Sequence, residues 1–310
     1  MDNKLITVII PAYNVAAYLG ECMESLCGQS YGELELILVD DGATDETPVL
    51  CDEWAAKDSR IKVIHKPNGG LSDARNAGLA AAGGEYISFI DPDDVVEKNM
   101  YETLFGLCRD NDTAMAVCRF DTFGADPGME ILPADGKMTV LTAEEHIRDI
   151  ITYNEERPSS YSACTRLYRR DITEGLSFPK GKKYEDIVFS TKSSLKSGRL
   201  CYLNSFLYHY RIREDSISHD KSDRERDLIV HRLDQRRIQT AFLKESGETG
   251  LYSLAKAVYG SELKSFRKTM TLHEYDGLTA EILEEWKCGA GEIFSLPVGI
   301  KKKMKLLCGL

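Results

Sequence analysis

Four short apolar runs, each stopping at a polar or glycine-bearing turn, constrain this chain more than any other feature. Leu5-Ile6-Thr7-Val8-Ile9-Ile10 and residues 34–39, 61–65 and 86–90 have the length and branched composition of strands buried on both faces. Between them lie amphipathic stretches. Val15, Leu19, Cys22 and Leu26 form one helical stripe, and an Ala/Gly-rich helix is expected over 71–82. Strands alternating with helices predict a parallel sheet with right-handed crossovers. The runs end at Asn14, at Asp40-Asp41-Gly42, at Asn68-Gly69-Gly70 and at Asp91-Pro92-Asp93-Asp94. In a parallel sheet those ends share one edge, where open α/β folds hold their ligands.

Downstream the pattern changes. A helix is expected over 95–111, looser structure over 114–120, and a helix from Thr142, where Thr142-Ala143-Glu144-Glu145 reads as a capping box. A helix over 185–196 and a strand over 200–210 follow, then helices over 228–244, 251–270 and 279–287 with glycine-containing breaks. The reading is therefore an α/β chain: a mainly parallel-sheet domain over 1–218, with a smaller helical region over 219–310 packed on it.

Charge and cysteine usage remove several classes. The 39 Lys and Arg against 50 Asp and Glu give a net charge of −11, which opposes any chain-wide hold on nucleic acid. An anionic ligand must be gripped locally. The nine cysteines form no CxxC pair and read as small buried hydrophobes. No run approaches the ~18 apolar residues of a membrane span, and no secretory leader opens the sequence. The expected location is the cytoplasm. Ile300, Met304 and Leu307 share a helical stripe among Lys301, Lys302, Lys303 and Lys305, a pattern suited to weak contact with an anionic leaflet or to a solvated end.

The turns carry the chemistry. Asp91-Pro92-Asp93-Asp94 puts three carboxylates into four residues, so it is either an acidic turn capping the next helix or a site neutralised by a hard divalent cation. The turn at 40–45 shapes the backbone at Gly42 and offers an acid to a base N–H. Arg75 serves as a surface ion-pair partner or as a buried electrostatic group among these acids.

Together, Pro11-Ala12-Tyr13-Asn14, Asp40-Asp41-Gly42-Ala43-Thr44-Asp45, the segment from Asn68 to Gly78 and Phe89-Ile90-Asp91-Pro92-Asp93-Asp94 closely resemble the family-two inverting glycosyltransferases of the GT-A fold. The resemblance covers about residues 4–218. It implies that Pro11, Tyr13, Asn14, Asp41, Asn68 and Arg75 line a sugar-nucleotide pocket, with Asp41 and Asn68 on the uracil of a UDP-sugar. It makes Asp91 and Asp93 the Asp-x-Asp pair, Asp93 being the firmer ligand of Mn2+ or Mg2+ and Asp91 also facing the nucleotide.

Tyr184-Glu185-Asp186-Ile187-Val188-Phe189 is similar to the family's Glu-Asp-x-x-Phe segment, which makes Asp186 the catalytic base with Glu185 in reserve; on their own, both acids suit the first turn of a helix. Tyr208-His209-Tyr210-Arg211-Ile212-Arg213 resembles the Arg-x-Arg end of the catalytic domain, which places Arg211 or Arg213 near a departing diphosphate. His209 reads as a packed or hydrogen-bonded group. The departures lie in the acceptor half, at Cys164-Thr165-Arg166-Leu167-Tyr168 and Lys180-Gly181-Lys182-Lys183. The implied acceptor is a saccharide or lipid-linked saccharide of bacterial surface-glycan synthesis. Two rivals remain on the sequence. A dinucleotide enzyme lacks its GxGxxG here, and a non-catalytic UDP-sugar-binding or partner-binding module would have no need of Asp186 with Asp91 and Asp93. An oligomer is left open.

Overall fold

The computed structural model describes residues 3–124, 133–154, 157, 161–213, 224–269 and 296. Strand β1 (Ile6–Ala12) lies parallel between β2 (Leu34–Asp40) and β4 (Tyr86–Phe89), and β3 (Ile61–His65) lies parallel outside β2. Every residue of β1 and β2 is buried. That is the expected outcome for unbroken apolar runs covered by helices on both faces. The covering helices include α1 (Ala16–Cys27), α2 (Thr47–Lys57) and α3 (Leu71–Ala81).

The second half of the sheet is mixed, and here the expected order of elements is corrected. Val95 and Val96 do not open a helix. They form β5 (Val95–Val96), which pairs antiparallel with β9 (Arg199–Ile212), and α4 (Met100–Asp110) begins only after it. The looser region after α4 is β6 (Met115–Gly124), a strand buried over its first half, parallel to β9 and antiparallel to β8 (Arg166–Arg169). β8 joins the halves by pairing antiparallel with β4, so the described order is β3-β2-β1-β4-β8-β6-β9-β5. β7 (Met138–Thr142) adds to the first half of β9.

Thr142 caps α5 (Ala143–Thr152) with both reciprocal bonds of a capping box, as its sequence predicts. After the short α6 (Arg170–Thr173) comes α7 (Asp186–Ser197), then α8 (Arg224–Glu245) and α9 (Thr249–Thr269). Ala143, Ile147 and Ile151 of α5 form a second apolar core with Leu243, Leu251, Leu254, Ala255, Ala257 and Val258. The helical end thus packs on the sheet domain through α5. The expected division at 218/219 and the expected helix over 279–287 fall outside the described residues, as does the lysine-rich tail. Among the described residues no helix is long and apolar enough to cross a membrane.

Two glycines shape the carboxyl edge of the parallel strands and the helix beside it. Gly42 takes φ +69°, and a Cβ there would sit 2.7 Å from the backbone nitrogen of Asn68, so only glycine lets the turn after β2 approach the turn after β3. Gly78 in α3 faces Ile9 of β1, whose Cγ2 would lie 2.3 Å from an added Cβ. This close approach seats α3, and hence Arg75, directly on the sheet.

Candidate active site

The site begins with Arg75, which α3 drives into the interior, leaving it 2% exposed. Its Nη2 donates to Asp91 Oδ1 at 2.8 Å; its Nη1 donates to Glu185 Oε1 at 2.6 Å and to Asp186 Oδ1 at 3.1 Å. Cys164 Sγ lies 3.6 Å from Nη2, and the Phe178 ring packs against the guanidinium. A planar, permanently charged fork is the group suited to join the acid after β4 to the two acids at the start of α7. Arg75 is therefore a buried group that joins Asp91 to Glu185 and Asp186.

Asp186 opens α7, directly after Glu185 and after Tyr184, whose φ of +57° is unusual for a bulky residue. The backbone N–H of Ala163 donates to Asp186 Oδ2 at 3.0 Å, so both carboxylate oxygens are positioned. The two acids differ in access: the Asp186 side chain is 19% exposed and that of Glu185 7%. Burial, reinforced by the neighbouring Asp186 charge, pushes the Glu185 carboxyl up to about 8.

The three acids after β4 also divide. Asp91 remains partly open, Asp93 pairs with Arg213 (Nε to Oδ2, 3.0 Å), and Asp94 is fully buried. Asp94 accepts from the hydroxyl of Tyr208 and, at 2.8 Å, from the Arg211 backbone N–H. The same Tyr208 hydroxyl accepts from the Asp91 N–H at 3.4 Å. Burial, followed by the charges of its neighbours, raises the carboxyls of Asp93 and Asp94 above the usual range. Arg211 donates from Nε to the Asp93 carbonyl at 2.8 Å and packs its guanidinium against Phe123 and Tyr18.

At the other side of the edge, Asp41 accepts from the N–H groups of Gly69 (3.0 Å) and Gly70 (2.7 Å) at the start of α3, and from Lys66. A carboxylate at a helix N-terminus is favoured there by the helix dipole. Three of its roughly four acceptor positions are thereby used. Tyr13 and Asn68 are exposed, Pro11 is buried, and Asn14, in a left-handed conformation, accepts from the Thr44 N–H at 2.8 Å. His209 is hydrogen-bonded on both ring nitrogens, to Asp121 and Glu97.

Sequence reasoning gave no role to Asp94, Tyr208, Tyr18 or Lys66. Asp94 carried a visible signal, a third acid directly beside Asp91 and Asp93. Tyr208 sits inside an apolar run where nothing separates a packing ring from a hydroxyl aimed at an acid.

Residues 7–176 match the family model described as glycosyl transferase family 2. The chain belongs to that family. By family it is a glycosyltransferase, and its sheet order with the acidic turn at the carboxyl edge is the GT-A architecture. Among relatives of this glycosyltransferase, GlyA of Streptococcus pneumoniae is 34% identical over 76% of the chain, a match that spans only 34% of GlyA. GlyG of the same organism is 29% identical over 88% of the chain and 91% of its own length. TarS of Staphylococcus aureus, solved as residues 1–349 with UDP-GlcNAc, aligns over 83% of this chain and 81% of its own with a TM-score of 0.61 and 22% identity.

Cation binding was expected at Asp91 and Asp93. Among the described residues no three His, Cys, Asp or Glu side chains are grouped to hold a metal. Two hard carboxylates nevertheless suit a cation such as Mg2+, which commonly takes one or two protein acids and completes its shell with water and substrate phosphates.

Proposed function

We propose that this protein is a cation-dependent inverting glycosyltransferase that moves a sugar from a UDP-sugar to a hydroxyl of a saccharide or lipid-linked saccharide, in bacterial surface-glycan synthesis at the cytoplasmic face of the membrane. The observation that carries the reading is that one guanidinium touches both Asp91 and Asp186. The donor-side acid and the acceptor-side acid therefore stand across a single site.

In this reading Tyr13, Asn14, Asn68 and Pro11 frame the nucleoside, and the acceptor position left on Asp41 takes the uracil N–H. The fold neighbour TarS, solved with UDP-GlcNAc, supports a UDP-sugar as donor. Asp93 and Asp91 would hold Mn2+ or Mg2+, which when bound neutralises the donor's diphosphate. Arg211 and Arg213 supply positive charge beside the departing UDP.

Asp186 takes the proton of the acceptor hydroxyl as its oxygen bonds to the anomeric carbon. The bond from that carbon to the diphosphate oxygen breaks on the opposite face, so configuration inverts. Asp186 is preferred because it is the more accessible acid, already oriented by Arg75 and Ala163, whereas Glu185 retains its proton near neutral pH.

The test is Asp186→Asn. UDP release in the presence of acceptor should fall by about 10²–10⁴-fold, while UDP binding measured by calorimetry stays within about twofold, because Asp186 faces the acceptor side. Retained transfer overturns the base assignment.

A further inference from the structure

Asp93 is the acid that the proposed chemistry most needs to present, yet it is already engaged. Arg213 Nε lies 3.0 Å from Asp93 Oδ2, with the two side chains 18% and 15% exposed. Such a pair is dry enough to hold and open enough for a solute to reach.

The neighbouring Arg211 is anchored differently. Its Nε is spent on the Asp93 carbonyl, its Nη2 on Glu21, and its guanidinium lies 4.3 Å from the centre of the Phe123 ring. Arg213 instead sets its charge on the carboxylate. Tyr18 lies under both guanidinium groups, 4.9 Å from that of Arg213 and 5.3 Å from that of Arg211. An aromatic face attracts a cation without fixing its direction, so Arg213 can turn away from Asp93 and keep this support.

On the reading that Asp93 ligates a cation beside a donor diphosphate, we infer that Arg213 is an exchangeable internal counterion. In the free protein it neutralises Asp93. On donor binding Asp93 exchanges Arg213 for the divalent cation, and Arg213 moves to the diphosphate. No covalent bond changes, and each charge released finds an opposite partner. The exchange couples the two ligands: a cation alone must displace Arg213 from Asp93, whereas a diphosphate bound with it offers the displaced guanidinium an anionic partner. Linkage makes this reciprocal, so UDP must tighten cation binding by the same factor as the cation tightens UDP binding.

Mn2+ binding to the full chain, followed by electron paramagnetic resonance of free Mn2+ with and without UDP, tests this. Arg213→Gln should bind Mn2+ alone about tenfold more tightly, since the competing ion pair is gone. The factor by which UDP tightens Mn2+ binding should shrink by a similar amount. Arg213→Ala should repeat both results, whereas Arg211→Gln, which removes the same charge from a residue not paired with the carboxylate, should not tighten Mn2+.

Unchanged or weaker Mn2+ binding by both Arg213 variants overturns the exchange. So does equal tightening in Arg211→Gln, which would reduce the effect to net charge. If that happens while Asp93→Asn abolishes Mn2+ binding, the exchange fails and the cation reading stands. If no form binds Mn2+ with or without UDP, both fail.

Discussion

Arg75 donates from Nη2 to Asp91 Oδ1 at 2.8 Å, a partly buried bond that ties α3 to the acidic turn after β4. The other arm of the same guanidinium holds Glu185 and Asp186 at the start of α7. Removing it leaves buried acids facing one another without a counter-charge. Arg75→Met is expected to cost about 3–5 kcal/mol of stability, the usual penalty for deleting one partner of a buried ion pair, measured by urea unfolding. Arg75→Lys keeps the charge but not the fork, so its loss should be smaller yet real. A Met variant as stable as the parent would show that the cluster is not held by this charge.

Glu185 sets a pH dependence of known sign. Its carboxyl is raised to about 8 in the folded protein, from an ordinary value of 4.5. Between those values the folded state binds more protons than the unfolded one, so this group's contribution makes stability fall as pH rises toward 8. Glu185→Gln should flatten that slope and gain relative to the parent most clearly above pH 7. Buried His146 works in the opposite sense at lower pH. Burial, then the charges of Arg166 and Arg157, depress its pKa far below 6.5, and stability is lost as pH falls below that value. Because His146 is common to both proteins, the difference between their urea midpoints from pH 6 to 8.5 isolates Glu185. Parallel curves would refute the assignment.

Tyr208 places one hydroxyl between the Asp94 carboxylate and the Asp91 N–H. Tyr208→Phe preserves the ring, takes one of two donors from Asp94, which keeps the Arg211 N–H, and removes the acceptor of the Asp91 N–H. A loss of about 1–3 kcal/mol is expected for the buried acid that loses this hydrogen bond. On the proposed function, the donor KM should also rise, because the turn presenting Asp91 and Asp93 loses its support. A variant with parental stability and KM would show the hydroxyl to be dispensable.

Gly78 opposes two rules. In an exposed helix, Gly→Ala is favourable by about 1 kcal/mol. Here the added methyl would lie 2.3 Å from Ile9 Cγ2, inside the fully buried β1 packing. Overpacking a tight core costs about 1–3 kcal/mol, so Gly78→Ala should be destabilising in net terms. A raised melting temperature would contradict the close seating of α3.

The sequence by itself determined the parallel half of the sheet, the shared carboxyl edge of its strands, the Thr142 cap and the family. These rest on local information: branched apolar runs of this length form strands, although the edge strand β3 is only partly buried and not covered on both faces as expected, and polar turns at their ends fall together once the strands are parallel. Four ordered motifs were enough for membership. Only the tertiary structure decided the mixed half, where Val95-Val96 becomes a strand because β9 offers it a partner more than a hundred residues away in sequence. It also decided how acids of one chemistry divide their work. Asp91, Asp93 and Asp94 read alike along the chain, yet Arg75 from the helix before β4, and Arg213 and Tyr208 from more than a hundred residues downstream, give them different partners, burial and charge. Charge and burial at a carboxylate depend on what packs around it, and that neighbourhood exists only in the folded chain.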